Sequence, residues 1–255
     1  MTPGDTTSLL APFLAEPARS VVLCDFDGTL SPIVADPAAA RLVDGAAETL
    51  LALADRLADV VVVSGRPVSF LERVIPSPLS LVGLYGLEGR RDGRRWEHPG
   101  SGAWREVVED LGALASVSGP AGMRVESKGL SITLHYRGTP QIGPEVLELG
   151  RLLAERGGLQ ARPAKMSVEL HPPLATDKGT VVERFSTGTV ASMFVGDDRG
   201  DLPAFDGLDR VAATGTHVVR GAVRSAEAPE ELVVRADLVL DGPTEVLELF
   251  RGLIS

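Results

Sequence analysis

Val21-Val22-Leu23-Cys24-Asp25-Phe26-Asp27-Gly28-Thr29 is the stretch that decides the fold of this chain. Four apolar residues are followed at once by two carboxylates and a glycine, a pattern typical of a buried strand that ends at a polar turn. In an open α/β sheet, ligands bind just beyond the carboxyl ends of the strands. The stretch therefore predicts both a parallel sheet and the position of a functional site.

Further segments repeat this alternation of strand and helix. Short apolar runs that indicate buried strands lie at 60–63, 192–195 and 238–240. Apolar spacings of three and four residues predict helices at 45–57, 67–74, 178–185 and 244–253. Strand and helix in regular alternation indicate an α/β fold with a doubly wound, Rossmann-like parallel sheet.

The middle of the chain departs from this alternation. The pattern there predicts helices at 103–114 and 144–156, and strands at 123–127, 130–136, 159–164 and 167–171. Strand pairs separated by short polar turns indicate an antiparallel sheet with helices on one face. We predict a core formed by 1–99 and 174–255, with a small α+β cap domain inserted at 100–173.

Composition limits the classes of partner and location. The 255 residues include 25 basic and 35 acidic ones, and the formal charge of −10 argues against nucleic acid or an anionic membrane as the partner. The single cysteine excludes an internal disulfide framework and fits a reducing cytosol. No apolar stretch reaches the ~20 residues of a membrane span, and no basic residue precedes the first apolar stretch as in a signal peptide. We expect a cytoplasmic monomer that acts on a small molecule.

Asp25 and Asp27 are the first candidate catalytic residues. Two carboxylates so close together at a strand end disfavour joint ionisation, and a divalent cation would remove that conflict. An oxygen ligand set suits Mg²⁺, and Asp25 could then attack phosphorus to give an aspartyl-phosphate. Gly28 permits the sharp turn. The alternative is an ordinary Asp-Gly turn capped by Asp27.

Two other positions suggest an anionic ligand. Ser64-Gly65-Arg66 follows the second strand where a helix is expected, which is a favourable corner for phosphate; the alternative is a plain Ser64 N-cap. Lys178 opens a predicted helix, where its charge opposes the helix dipole unless an anion lies nearby. The alternative is a solvated lysine beside the capping residue Asp177.

The stretch Gly196-Asp197-Asp198-Arg199-Gly200-Asp201 follows a third apolar strand. Its three carboxylates repel one another unless a cation lies among them. The alternative is an acidic surface loop.

Taken together, these motifs resemble the haloacid dehalogenase (HAD) superfamily of phosphatases. The matching residues are Asp25-x-Asp27-Gly28-Thr29, Ser64-Gly65-Arg66, Lys178 and Gly196-Asp197-Asp198-x-x-Asp201. The resemblance implies that Asp25 is the nucleophile and that Asp27 first protonates the leaving oxygen and then activates water. It implies phosphate binding by Ser64, Gly65 and Lys178. It implies Mg²⁺ bound by Asp25, Asp197 and the backbone carbonyl of Asp27. The supporting residues would be Thr29, Arg66, Asp198 and Asp201.

From about residue 20 to 245 the chain is similar to one family, the trehalose-6-phosphate phosphatases. The additional matches are 83–88, Val125-Glu126-Ser127-Lys128, Lys165-x-x-x-Glu169 and 196–205. The resemblance implies hydrolysis of trehalose 6-phosphate, with Glu126, Lys128 and Glu169 of the cap contacting glucose hydroxyls. Two departures are Leu202, where a second acid is usual, and Tyr85, where histidine is common.

The cap residues also have a pattern of their own. Glu126 and Lys128 lie two residues apart and share one strand face. Glu169 lies between Val168 and Leu170, and we expect it on the opposite face. The four histidines show no metal-binding spacing and are interpreted as structural.

Three other functions stay open on the sequence. The first is the same chemistry on another sugar or pseudo-sugar phosphate, such as sucrose phosphate or mannosyl phosphoglycerate. The second is a phosphomutase with the same nucleophile. The third is a binding domain with an inactive site, which the presence of Asp25, Asp27 and Asp197 argues against.

Overall fold

The computed structural model describes residues 3–34, 36–164, 166–225 and 228–254, and the chain forms two units. The first unit comprises Met1–Trp96 and Thr176–Ser255, and the second comprises Glu97–Ala175. The sequence places the boundaries of the inserted unit at 100 and 173.

Strands and helices alternate along the first unit and are grouped differently in the second. The strands are β1 (Ser20–Cys24), β2 (Asp59–Val63), β3 (Ser80–Gly83), β4 (Glu88–Arg91), β5 (Arg94–Glu97), β6 (Arg124–Ser127), β7 (Ile132–His135), β8 (Gln160–Ala164), β9 (Ser167–His171), β10 (Ala191–Gly196), β11 (His217–Val223) and β12 (Leu238–Leu240). The helices are α1 (Pro3–Ala15), α2 (Ala46–Ala54), α3 (Val68–Val74), α4 (Arg105–Ser118), α5 (Gly143–Gly157), α6 (Lys178–Ser186), α7 (Leu202–Ala212), α8 (Glu230–Arg235) and α9 (Pro243–Gly252). Among the described residues, no helix is both long enough and apolar enough to cross a membrane.

The first unit is built on a mixed sheet with β1 near its centre. Within the described residues its strand order is β12-β11-β10-β1-β2-β3-β4-β5. The strands from β12 to β3 are parallel, and β4 is antiparallel to β3. The predicted α/β class with a doubly wound parallel sheet is confirmed.

Helices cover both faces of this sheet. Val22 and Cys24 of β1 belong to a core shared with α1, α2, α3 and α9, whereas Val21 and Leu23 belong to a core shared with α6, α7 and α8. Every residue of β1 is buried. Burial of each valine or leucine contributes about 1.5–3 kcal/mol, and a shift of one residue would exchange the two faces. The register of β1, and with it the position of Asp25, is therefore strongly fixed.

The second unit contains an antiparallel sheet in the order β6-β7-β9-β8. Its apolar face carries Ile132, Leu134, Val168 and Leu170. These side chains pack against α4 and α5 through residues such as Val108 and Val146. The opposite face is polar, as expected for an antiparallel sheet with helices on one side.

Strand register corrects one prediction in this unit. Glu126 pairs with Thr133 across β6 and β7, and Thr133 pairs with Glu169 across β7 and β9. Directly opposed residues of an antiparallel pair project their side chains from the same face. The expectation that Glu169 faces away from Glu126 is therefore wrong. The apolar residues on either side of Glu169 in the sequence predict that Glu169 lies on the polar face of the sheet. They do not predict which other residues share that face, because this depends on the pairing of distant strands.

Candidate active site

Three neighbouring strands bring the predicted site residues to one edge of the sheet. Cys24 of β1 is level with Val62 of β2 and Val195 of β10. Asp25 follows directly, and its backbone N–H donates to the carbonyl of Val195 at 2.9 Å. Ser64 lies two residues after Val62, and Asp197 lies two residues after Val195. The motifs are thus assembled because parallel strands end together.

Gly28 allows the loop after β1 to approach the loop after β10. Its φ of +74° is a left-handed conformation that favours glycine. A methyl group on its Cα would collide with the carboxylate of Asp197. The Asp-Gly turn proposed as the alternative is present, and it is also what lets Asp27-Gly28 lie beside Asp197.

Lys178 is buried at the start of α6, with 2% of its side chain exposed. Its Nζ lies 3.0 Å from Oδ2 of Asp25 and 2.6 Å from Oδ1 of Asp201. Burial alone would lower the pKa of this ammonium, but the carboxylates of Asp201 and Asp25 outweigh burial and raise its pKa well above the usual value. Asp177 caps the helix by accepting the N–H of Thr180 at 2.8 Å. Asp177 therefore caps the helix as predicted, whereas the alternative of a solvent-exposed Lys178 is wrong.

The Asp197–Asp201 loop is anchored by a buried carboxylate. Asp201 is fully buried, and its Oδ2 accepts the backbone N–H groups of Asp197 at 2.8 Å and Asp198 at 3.1 Å. Asp197 is also buried, which rules out a plain acidic surface loop. Of the three carboxylates in this loop, only that of Asp198 is exposed. Its Oδ1 accepts the N–H of Gly200. Leu202 begins α7 and packs against the sheet core.

The carboxylates of Asp25, Asp197 and Asp201 form a cluster that fits a hard cation. Each offers one oxygen, and these oxygens lie within 4.8 Å of one another. Burial raises the pKa of Asp25 well above its usual value, although Lys178 opposes this. Burial, followed by Asp201 and Asp198, raises the pKa of Asp197 to about 8. One ammonium cannot balance three buried carboxylates, and an all-oxygen donor set is what Mg²⁺ prefers.

Asp27 lies near this cluster in sequence, but its carboxylate is held by Arg66. Nε and Nη2 of Arg66 donate to the two carboxylate oxygens at 2.6 and 2.7 Å. Nη1 donates to the carbonyl of Pro37 at 2.8 Å, and the guanidinium lies 4.1 Å from the ring centre of Phe70. A bidentate pair with a guanidinium braced on a ring fixes the orientation of a carboxylate.

Ser64 is buried, but it does not cap a helix. Its Oγ accepts the backbone N–H of Arg66 at 3.2 Å. Helix α3 begins only at Val68, after Pro67, and the N–H of Val68 donates to Oε1 of Glu88 at 2.6 Å. The expected N-cap role of Ser64 is wrong, because the helix starts four residues later and Glu88 already occupies that amide. Ser64 therefore acts at the strand end and not at a helix terminus.

The ring of Tyr85 lies against Gly65. Leu84 and Tyr85 have φ values of 51° and 56°, a conformation that costs a non-glycine residue about 1–3 kcal/mol. Their N–H groups donate to the carbonyls of Arg66 and Ser64, both at 3.1 Å, which holds the turn. A side chain at Gly65 would collide with the phenol of Tyr85. The departure at Tyr85 thus lies next to the predicted phosphate-binding glycine.

Thr29 is buried within the same loop as Asp27. Its hydroxyl has no hydrogen-bond partner among the described residues. The sequence places Thr29 among the supporting residues, and its surroundings give it no more specific role.

The predicted sugar-binding residues of the second unit contact one another or their neighbours. Nζ of Lys128 lies 3.5 Å from Oε2 of Glu169, whose Oε1 accepts the hydroxyl of Ser131 at 2.7 Å. Glu126 Oε2 lies 2.7 Å from Nε2 of His135. Lys165, which the family motif also includes, lies outside the described residues.

Sequence reasoning missed Ser131 and His135 as partners of the predicted sugar ligands. The sequence does contain a signal for them, because polar residues occupy every second position from 131 to 135. Ser131, Thr133 and His135 alternate with apolar residues, so their side chains share one face of β7.

Comparisons with known proteins agree with this geometry. The sequence profile described as Trehalose-phosphatase matches residues 23–236. The trehalose-phosphate phosphatase of Mycobacterium tuberculosis is 31% identical over 243 residues, which cover 90% of this chain and 60% of that protein. An uncharacterized glycosyl hydrolase of the same organism is 35% identical over 218 residues, covering 79% of this chain and 16% of that protein. The chain therefore spans less than two thirds of the length of each of these relatives.

Solved structures show the same fold. The C-terminal domain of Candida albicans trehalose-6-phosphate phosphatase superposes with a TM-score of 0.79 at 24% identity, covering 98% of this chain and 96% of that one. A trehalose-6-phosphate phosphatase related protein gives a TM-score of 0.78 at 21% identity, covering 92% of this chain and 96% of that one.

Proposed function

The chain belongs to the trehalose-phosphatase family, and from this premise we propose that it is a Mg²⁺-dependent phosphatase of trehalose biosynthesis. It would hydrolyse trehalose 6-phosphate to trehalose and phosphate through an aspartyl-phosphate. One observation carries the proposal: the buried carboxylate of Asp25 lies 3.0 Å from Nζ of Lys178 and shares an oxygen cluster with Asp197 and Asp201. The proposed nucleophile therefore lies beside a cation that could neutralise the phosphoryl oxygens and beside the carboxylates that could bind the metal.

In the first step a carboxylate oxygen of Asp25 attacks phosphorus. The bond between phosphorus and the sugar oxygen breaks, and Asp27 gives its proton to that oxygen. Lys178 offsets charge on the phosphoryl oxygens from the side of Asp25, and Ser64 and Gly65 bind the same group. Mg²⁺ held by Asp25, Asp197 and the backbone carbonyl of Asp27, with Asp201 in support, would supply further positive charge to these oxygens.

In the second step water attacks phosphorus of the aspartyl-phosphate. Asp27, now ionised, takes the proton of this water, and the bond between phosphorus and the Asp25 oxygen breaks. Phosphate leaves, Asp25 is again a carboxylate and Asp27 is again protonated. Arg66 is proposed as the positioning residue of Asp27: it holds both oxygens of the ionised carboxylate, and one of these hydrogen bonds would give way while Asp27 carries a proton.

The Arg66→Lys variant tests this positioning role. An ammonium keeps the charge but cannot hold both oxygens of Asp27, so we expect kcat for trehalose 6-phosphate to fall about 10-fold. With p-nitrophenyl phosphate, whose leaving group needs no proton, we expect the first step to slow by only about 2-fold, whereas hydrolysis of the aspartyl-phosphate, which also uses Asp27, should slow equally for both substrates. Single-turnover release of trehalose and of p-nitrophenolate measures the first step, and steady-state phosphate release measures the whole cycle.

A matched control is Arg73→Lys, which changes another arginine beside the ring of Phe70. Nη1 of Arg73 donates to the backbone carbonyl of Ser69 at 3.0 Å and not to Asp27. This variant should retain wild-type kinetics. Equal losses in the single-turnover first step on both substrates in Arg66→Lys would show a general structural defect and would remove the positioning role.

The substrate is tested by a panel. We expect phosphate release from trehalose 6-phosphate with kcat/KM at least about 100-fold above that for glucose 6-phosphate or sucrose 6-phosphate. Comparable rates on all three would leave a phosphatase but remove the specific substrate. A reaction that needs a bisphosphate activator and releases no free phosphate would instead indicate a phosphomutase.

The remaining parts of the proposal concern recognition and context. Glu126, Lys128 and Glu169 would bind sugar hydroxyls, since charge-assisted hydrogen bonds suit a polyol. We also propose that the protein acts as a cytoplasmic monomer on a small sugar phosphate. The net charge of −10 argues against nucleic acid or an anionic membrane as partner, and the single, buried cysteine fits a reducing compartment.

A further inference from the structure

The polar face of the second unit's sheet is buried on its two central strands, β7 and β9, and more exposed on the outer strands β6 and β8. Helices α4 and α5 pack on the other face, which carries the apolar side chains. Five polar residues are buried here: Ser131, directly before β7, Thr133 of β7, and Ser167, Glu169 and His171 of β9. Buried polar groups normally have hydrogen-bond partners, so each member of this set calls for one.

Thr133 lacks such a partner. The hydroxyl of Ser131 donates to Glu169, and His135 pairs with Glu126. Thr133 is 4% exposed, yet its Oγ1 has no hydrogen-bond partner among the described residues. A buried hydroxyl without a partner is destabilising, and valine has the same branched shape without that cost. The fold alone therefore gives no reason for a hydroxyl at this position.

Its neighbours indicate what the hydroxyl is for. Thr133 is directly opposed to Glu126 on one side and to Glu169 on the other. The Cβ atoms of such pairs are about 4.5–5.5 Å apart, so a ligand group that reaches the carboxylate of Glu126 or Glu169 is also close to Thr133. Carboxylates only accept hydrogen bonds, whereas a hydroxyl can donate or accept. A polyol hydroxyl that donates to a carboxylate can therefore also accept from Thr133.

We propose that Thr133 is a specificity-determining residue that hydrogen-bonds a sugar hydroxyl of the substrate, between Glu126 and Glu169. This inference rests on the proposed function, because it needs a sugar phosphate as substrate. It adds to that function a neutral contact that the family motifs do not contain.

The test compares Thr133→Val with Thr133→Ser. Valine removes only the hydroxyl, and we expect kcat/KM for trehalose 6-phosphate to fall about 10-fold, mainly through a higher KM. Serine keeps the hydroxyl and should stay within about 3-fold of wild type. With p-nitrophenyl phosphate, which has no sugar, all three proteins should be equal. The thermal unfolding midpoint of Thr133→Val should be unchanged or raised by about 2 °C, because an unsatisfied group is removed.

The outcomes separate this inference from the function it rests on. Wild-type kinetics of Thr133→Val on trehalose 6-phosphate would overturn the role of Thr133 and leave the function standing. Equal losses on both substrates, or a lowered unfolding midpoint, would show a structural role and would also overturn it. A wild-type protein that hydrolyses p-nitrophenyl phosphate but not trehalose 6-phosphate would overturn the substrate, and the inference with it.

Discussion

The Asp25→Asn variant is expected to lose at least about 10⁴-fold in kcat while keeping its fold. The amide preserves the size of the side chain and can still accept the N–H of Phe26, which donates to Oδ1 of Asp25 at 2.7 Å. It cannot form the aspartyl-phosphate, because an amide has no nucleophilic carboxylate oxygen. Phosphate release from trehalose 6-phosphate measures the loss.

Thermal stability should not fall with activity in Asp25→Asn, and we expect it to be unchanged or increased. Burial raises the pKa of Asp25 well above its usual value, so its ionised form is costly in the folded protein without a metal. A neutral amide avoids that cost, and Lys178 keeps its contact with Asp201 at 2.6 Å. We expect an unfolding midpoint equal to or above that of wild type when a chelator is present.

Asp177→Asn is the matched control for this variant. It makes the same chemical change one residue before Lys178, and asparagine caps a helix as well as aspartate does. Its activity should remain within about 2-fold of wild type. If Asp25→Asn retained a tenth or more of wild-type kcat, Asp25 would not be the nucleophile.

The position of the site could be predicted from the sequence because it depends on local patterns. An apolar run followed by a carboxylate identifies both a strand and its polar end, and parallel strands end at the same edge. The predicted strands and helices of the core therefore placed Asp25, Ser64 and Asp197 together without knowledge of their distances.

Other features depend on contacts between distant parts of the chain and could not be read from the sequence. Lys178 at a helix start is as compatible with solvent as with a buried partner, and only its position between Asp25 and Asp201 decides the matter. The face occupied by Glu169 depends on strand register. The pairing of Arg66 with Asp27 joins residues separated by 39 positions.

Chelation of Mg²⁺ is expected to lower kcat by about 10³-fold, since a metal contributes several kcal/mol of charge stabilisation in phosphoryl transfer. The stabilising effect of Mg²⁺ on the fold should also depend on pH. The pKa of Asp197 is raised to about 8 by burial and by Asp201 and Asp198. Between the usual pKa of an aspartate and this value, the metal-free folded protein holds a proton that the unfolded chain lacks. Its stability without metal therefore falls as pH rises through this window.

We expect Mg²⁺ to reverse this dependence, because Asp197 as a ligand would bind it in the ionised form and would have to lose its proton below about pH 8. We expect Mg²⁺ to raise the unfolding midpoint more at about pH 8.5 than at about pH 6, with more proton release on binding at the lower pH. Thermal unfolding with Mg²⁺ or chelator at both values, and calorimetry in two buffers of different ionisation enthalpy, measure these effects. Asp197→Asn has neither this proton nor this ligand, and it should lose most of the stabilisation and part of the pH dependence; the remaining pH dependence comes from Asp25, whose pKa is also raised by burial. An equal effect of Mg²⁺ at both pH values would mean that the metal displaces no proton from Asp197, even if chelation abolished turnover.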